Sequence, residues 1–268
     1  MTYTPEALYN VLSKIRQQSP LVHNITNYVV MNSSANYLLA LGASPFMSYY
    51  EEEMSEVVAI SNALVLNLGT LDERLTHSSK IAQQLANKRN LPIVLDPVGS
   101  GATKIRTKTS QQILKAGVSI VRGNASEIMS LLDDSVKTKG VDSSADADAA
   151  AEAAISIASK FNCIVVVSGA TDLATDGKTL LRLSNGTPML TKVTGTGCGA
   201  TAVLGAFVAV ENDLLLAAVS GVSALNLAAD RAMENCSGPG SFQVQLIDAL
   251  YSLELSHFKN VKLEVCKG

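Results

Sequence analysis

Between Thr194 and Thr201 the chain reads Thr-Gly-Thr-Gly-Cys-Gly-Ala-Thr, and an apolar run from Val203 to Val210 follows at once. Gly195, Gly197 and Gly199 alternate with small residues, a pattern that predicts a tight loop feeding a helix. Glycine lets the backbone turn freely and brings its N–H groups close to a ligand. The first N–H groups of a helix lack internal partners, and the helix dipole adds partial positive charge there. Phosphate suits such a place well. Cys198 sits inside that field, where a helix N-terminus argues for partial thiolate near neutrality and an adjacent triphosphate argues against it. At this point two readings stand: an anion site, or a glycine-rich turn with a buried structural cysteine.

Carboxylates come from two other segments. Pro92-Ile-Val-Leu-Asp-Pro97 reads as a strand ending in Asp96, followed by the close-approach loop Val98-Gly-Ser-Gly101. Ser119-Ile-Val-Arg122 reads as the next strand, followed by Gly123-Asn-Ala-Ser-Glu127. Ligands of open parallel sheets bind beyond the carboxyl ends of the strands. Asp96 and Glu127, delivered from two successive strand–helix junctions, can therefore meet at one point. One or two carboxylates plus water and nucleotide phosphates are what Mg²⁺ requires. Singly, Asp96 reads as a turn-stabilising aspartate and Glu127 as a first-turn partner of a helix dipole. The downstream glycine loop tilts the pair toward the metal reading. His23 reads as a structural histidine, Met47 as core and Cys163 as inert packing, although Asn27 and Met47 both fall at strand–helix corners.

These residues need a scaffold. Thr4 and Pro5 predict an N-cap and first position for a helix to about Gln18. Short strands are expected from Leu21, over residues 43–47, 63–69 and 163–169. Helices are expected at about 29–41 (ended by Gly42), 51–62, 72–90, 103–116 and 149–160. The strands are continuous apolar runs rather than alternating ones, the mark of parallel strands covered on both faces. Residues 133–148 read as a polar surface loop, 172–183 as a hairpin at the sheet edge, and the last third as mostly helical with a break at Ser237–Ser241. The expected architecture is one three-layer α/β/α domain over residues 1–268, with a mostly parallel central sheet.

Composition excludes several classes. Of 268 residues, 47% are apolar, only 4% aromatic and none Trp, so the core must be aliphatic. A formal net charge of −3 without a basic cluster offers nothing to nucleic acid or to anionic membrane. No uninterrupted apolar run approaches the roughly 20 residues of a membrane span, and the N-terminus does not read as a signal peptide. Four scattered cysteines and three histidines show no zinc or disulfide spacing. A cytoplasmic protein is expected. Gly177-Lys178-Thr179 mimics the end of a P-loop, but Asp172 stands where its first glycine belongs.

Six motifs, in order, carry a resemblance: Pro20-Leu-Val-His-Asn-Ile-Thr-Asn27, Gly42-Ala-Ser-Pro-Phe-Met47, Leu95-Asp-Pro-Val-Gly99, Val121-Arg-Gly-Asn-Ala-Ser-Glu-Ile128, Thr191-Lys-Val-Thr-Gly-Thr-Gly-Cys198 and Gly238-Pro-Gly-Ser-Phe242. Over about residues 10–255 the chain resembles the hydroxyethylthiazole kinases, thiamine-salvage enzymes of the ribokinase-like superfamily. The resemblance implies ATP- and Mg²⁺-dependent phosphorylation of the hydroxyl of 4-methyl-5-(2-hydroxyethyl)thiazole, by a homotrimer with its thiazole pockets between subunits. It implies thiazole contacts from Asn27, Val29, Met47 and Gly195. ATP contacts are implied at Arg122 and at Ser168, where the family usually has threonine, and Gly197 lies in the loop expected under the phosphates. Asp96 and Glu127 match the magnesium-side carboxylates. Cys198 stands where ribokinase-like enzymes generally carry an aspartate base, though some thiazole kinases have cysteine there. The competing readings are a kinase for another small alcohol, such as hydroxymethylpyrimidine or pyridoxal, and a catalytically silent binding protein.

Overall fold

The computed structural model describes residues 3–132 and 143–267. Its frame is a nine-stranded sheet. Six strands are mutually parallel: β1 (Leu21–Ile25), β2 (Ser44–Met47), β3 (Ala63–Asn67), β4 (Ile93–Asp96), β5 (Ile120–Asn124) and β6 (Ile164–Ser168). The remaining three, β7 (Asp172–Thr175), β8 (Thr179–Leu183) and β9 (Leu263–Lys267), join antiparallel. Spatial order is β2-β1-β3-β4-β5-β6-β7-β8-β9. The chain steps outward from β1 to β2 and then returns to lay β3 on the other flank of β1. Strand order thus reverses between β1 and β3, and such a switch opens a crevice at the carboxyl ends of the strands.

Helices cover both faces. On one side lie α1 (Pro5–Gln18), α2 (Met31–Leu41), α8 (Thr196–Val208), α9 (Leu214–Glu234) and α10 (Pro239–Tyr251), with the short α11 (Leu255–Phe258) beside α1 and α9. On the other lie α3 (Met54–Ile60), α4 (Glu73–Lys88), α5 (Lys104–Lys115), α6 (Ala125–Ser130) and α7 (Ser143–Phe161). The strands feed both layers in alternation: Ala63 and Val65 pack with the first helices, Leu64 and Leu66 with the second. Alternation of this kind makes a buried strand read as a continuous apolar run. Caps set the helix starts. Thr4 accepts the Ala7 N–H at 3.2 Å, Asp72 the Leu75 N–H at 2.7 Å and Thr103 the Arg106 N–H at 3.4 Å. Gly42, at φ 95°, ends α2 in the left-handed conformation that glycine takes without strain.

Several expectations shift. The second helix begins at Met31, two residues late, so Val29 lies before it and is 64% exposed. Residues 51–53 form a 3₁₀ turn ahead of α3 rather than part of one helix. Helix α7 begins at Ser143, within the segment read as a loop; residues 133–142 of that segment lie outside the described residues. The 172–183 hairpin exists but is not the edge, because β9 pairs with β8 beyond it. By length and composition α9 could span a membrane, although no uninterrupted apolar run had suggested it. In the fold it is a core helix, 72% of its most apolar window being buried.

Candidate active site

Four parallel strands deliver a polar residue to the same end of the sheet. Asn27 lies two residues beyond β1, and Asn67, Asp96 and Asn124 close β3, β4 and β5. Helix α8 points its N-terminus into this row. Gly195, at φ 84°, is its N-cap and provides no side-chain acceptor, so its first turn begins with uncapped N–H groups. A Cβ on Gly195 would come within 2.6 Å of Val30 Cγ1, and one on Gly199 would overlap the Tyr37 ring. Gly205 lies against Val65 and Val22 in the same way. The glycines therefore let α8 press onto α2 and the sheet, and this sets the position of its first turn. The tight loop feeding a helix is present as expected.

A buried hydrogen-bond chain crosses the switch point. Asn27 Nδ2 donates to Cys198 Sγ at 3.4 Å and to Asn67 Oδ1 at 2.8 Å. Asn67 Nδ2 donates to Asp96 Oδ2 at 2.8 Å, and Thr201 Oγ1 donates to the same oxygen at 2.7 Å. Asp96 is only 2% exposed. Burial pushes its carboxyl up to about 6, against the pull of Arg122 and of the Thr201 and Asn67 hydrogen bonds. Cys198 is held up to about 11, by burial first and by the neighbouring Asp96 carboxylate second. The helix end and the triphosphate pull the thiol in opposite directions, and the fold adds burial to the side that keeps it protonated. Desolvation outweighs the favourable helix end, and the thiol is protonated at neutral pH.

On the other flank of α8, Arg122 reaches across from β5: a Cβ on Gly197 would come within 3.0 Å of its Nη1. Beyond it lies a cavity of about 560 Å³ lined by Arg122, Ser168, Asp172, Gly197, Leu204 and Asn226 among others. Its volume is that of a small-molecule or cofactor site. Asp172 accepts from Asn226 Nδ2 at 2.7 Å and from the Gly169 N–H at 2.9 Å, and burial raises its pKa. Glu127 forms a capping box with Asn124: its Oε2 accepts the Asn124 N–H and its Oε1 the Gly99 N–H, each at 2.9 Å.

The expected residues thus divide into two groups. Arg122, Ser168 and Gly197 all line the cavity. Asn27 bonds Cys198, Val30 packs on Gly195, Val29 donates its N–H to Asn27, and Met47 ends β2 in register with Asn24 of β1. The α8 N-terminus stands between the groups. A divalent cation fits here to a limited extent. Asp96 has one oxygen taken by two donors, whereas both Glu127 oxygens already accept backbone N–H groups, so Glu127 suits contact through water. Among the described residues no three His, Cys, Asp or Glu side chains converge, so an ion would have to share phosphate oxygens. His23, read as structural, bonds the Ser48 carbonyl through Nε2 at 2.8 Å, while its buried Nδ1 has no partner. Cys163 is buried and its thiol is pushed up to about 12, as inert packing requires.

Sequence reading missed four residues. Asn67 had a signal, for it ends an apolar strand in register with Asp96. Thr201 had a weaker one, lying one helical turn beyond Cys198 on the same face. Asp172 and Asn226 are brought together over 54 positions and carry no local signature.

Relatives sharpen the picture. Residues 12–256 match the sequence model of the hydroxyethylthiazole kinase family. A hydroxyethylthiazole kinase of Pyrococcus furiosus is 49% identical, over 96% of this chain and 97% of that relative. The solved structure of a hydroxyethylthiazole kinase protein from Pyrococcus horikoshii superposes with a TM-score of 0.91 at 42% identity, covering 97% of this chain and 99% of that one. A pyridoxal kinase from Staphylococcus aureus, solved with AMP-PCP, shares the fold at a TM-score of 0.63 and 16% identity, over 92% of this chain and 99% of that one. A close match along nearly the whole length, on a mostly parallel α/β sheet shared with other small-molecule kinases, leads to one conclusion: the chain belongs to the hydroxyethylthiazole kinase family.

Proposed function

We propose that the chain transfers the γ-phosphoryl group of ATP to the side-chain hydroxyl of 4-methyl-5-(2-hydroxyethyl)thiazole, as a step of thiamine salvage, at the N-terminus of α8. The observation that carries this reading is the position of that helix end, with uncapped N–H groups between a cavity holding Arg122 and a corner holding Asn27 and Cys198. ATP occupies the cavity, with Ser168 offering its hydroxyl and Arg122 its guanidinium to the phosphates. The γ-phosphoryl lies over the N–H groups of Thr196, Gly197 and Cys198. The thiazole enters from the side of Asn27, Val29, Met47 and Gly195. Its hydroxyl oxygen forms a bond to the γ-phosphorus while the bond to the ADP oxygen breaks, and the hydroxyl proton passes to an oxygen of the transferred phosphoryl group and from there to water.

Positioning and charge stabilisation dominate such a transfer. Mg²⁺, held beside Asp96 and through water by Glu127, would neutralise charge on the phosphate oxygens. With its thiol protonated, Cys198 orients the hydroxyl rather than acting as a preformed base. We further propose that the chain is one kinase domain, that it works in the cytoplasm, and that it assembles as a trimer. The 64% exposure of Val29 supports thiazole pockets completed by a second subunit. ADP release is the test, with ATP and hydroxyethylthiazole, hydroxymethylpyrimidine or pyridoxal as acceptor. Turnover with the thiazole well above the other two is expected. Preference for another alcohol, or no ADP with any, would overturn the reading.

A further inference from the structure

One side chain sets the direction of the buried hydrogen-bond chain at the switch point. Asn67 Oδ1 accepts the Gly69 N–H at 3.0 Å. A backbone N–H can only donate, so the amide oxygen must face it, and Nδ2 must face Asp96. Asn27 is oriented by the same logic: its Oδ1 accepts the Val29 N–H at 3.1 Å, leaving Nδ2 toward Asn67 and Cys198. The anchor itself is held firmly. Arg106 Nη1 donates to the Leu68 carbonyl at 2.6 Å and to that of Val98 at 2.9 Å, and its Nη2 donates to the Gly69 carbonyl. No room for a Cβ exists at Gly69, because the Asn27 amide fills that space.

Of the two acceptors on Asn27 Nδ2, the Asn67 oxygen at 2.8 Å is much the stronger. Sulfur at 3.4 Å is a weak acceptor, so with the Val29 N–H on Oδ1 it is the Asn67 oxygen that fixes the Nδ2 end of the amide. We infer that Asn67 is a positioning residue for the phosphoryl-transfer corner: with the Val29 N–H holding the amide oxygen of Asn27, it fixes Nδ2 so that an N–H meets the Cys198 sulfur, and it ties that amide to the Asp96 carboxylate. The inference rests on the proposed function only where it assigns Cys198 a part in catalysis. Because the sulfur accepts on its inner side, its S–H is directed away from Asn27 and is left to meet the substrate hydroxyl. Asn67 bears on Cys198 through Asn27 and also directly, its own amide lying close enough to favour the thiolate as that of Asn27 does, and it touches no reactant.

Crystal structures and steady-state kinetics of Asn67→Ala and Asn67→Asp test this. Alanine removes the acceptor, and Asn27 Nδ2 is expected beyond about 4 Å from Cys198 Sγ. The kcat should fall about tenfold, the worth of one hydrogen bond, with KM for ATP within about twofold of wild type. In a Cys198→Ala background the same substitution should lower kcat by less than about twofold. An Asn27 amide unmoved in Asn67→Ala, or an equal loss in both backgrounds, overturns the inference. Should Asn67→Ala not fold, Asn67→Asp decides. It keeps an oxygen toward Gly69 and Asn27, and a proton shared with Asp96 takes the place of the Nδ2 donor, so the Asn27–Sγ contact should persist, and its loss there overturns the inference. If Cys198→Ala alone keeps the wild-type kcat, the catalytic reading of Cys198 falls, and the displacement of Asn27 still decides the role of Asn67.

Discussion

Replacing Asp96 by asparagine should stabilise this protein while disabling it. The carboxyl is 2% exposed, and burial raises it from an ordinary 3.8 to about 6. A folded-state value above the unfolded one means that the folded chain binds the extra proton between those two pH values. Stability is therefore lost as pH rises through that window, and the full cost is present above pH 6. At about 1.4 kcal/mol per tenfold, ionised Asp96 costs on the order of 3 kcal/mol at pH 7.5 and about 1 kcal/mol at pH 4.5. Asparagine keeps the side-chain shape and an oxygen for the Thr201 and Asn67 donors without the charge. Urea denaturation of wild type and Asp96→Asn, in EDTA at both pH values, reads the difference directly. The variant should be more stable by about 3 kcal/mol at pH 7.5, the gain shrinking to about 1 kcal/mol at pH 4.5, and phosphorylation should be nearly lost. Equal stability at pH 7.5, or a gain independent of pH, would refute the claim that burial of an ionised Asp96 strains the fold. A carboxylate kept at such cost is the usual signature of a site built for function rather than stability.

Three further outcomes are expected. Cys198→Ala should lower kcat about tenfold, as loss of one orienting hydrogen bond would, with KM for the thiazole little changed, while Cys198→Asp retains activity because a carboxylate also accepts the Asn27 amide. A wild-type kcat in the alanine variant would reduce Cys198 to packing. Gly199→Ala should lower thermal stability by about 1–3 kcal/mol, since its methyl would overlap the Tyr37 ring; an unchanged melting temperature would mean that α2 and α8 are loosely packed. Glu127→Gln, which leaves one of two N–H groups without its carboxylate oxygen, should raise the Mg²⁺ concentration needed for half-maximal rate, and an unchanged titration would remove Glu127 from the metal side.

Much of the frame was legible because its determinants are local. Thr4, Asp72 and Thr103 cap helices within three residues of themselves, and the parallel strands are apolar runs too long for turns. What escaped is set by contacts remote in sequence. Strand β9 is a short segment whose pairing with β8 spans about 80 residues, so nothing nearby announces it. Asn67 looks like an ordinary strand end until Asn27 and Asp96 close around it. The charge state of Cys198 stayed open in the sequence because the helix end is visible there, whereas burial against Asp96 is not.

A phosphoryl group that passes from ATP to the thiazole hydroxyl at the N-terminus of α8, as proposed, must reappear in a phosphomonoester. Phosphorus NMR of a reaction of the wild-type chain with ATP, Mg²⁺ and hydroxyethylthiazole tests it most directly. One new phosphomonoester resonance is expected, growing in equal measure with ADP and absent without the thiazole. Inorganic phosphate as the only new species, or no loss of ATP, would contradict the proposed transfer.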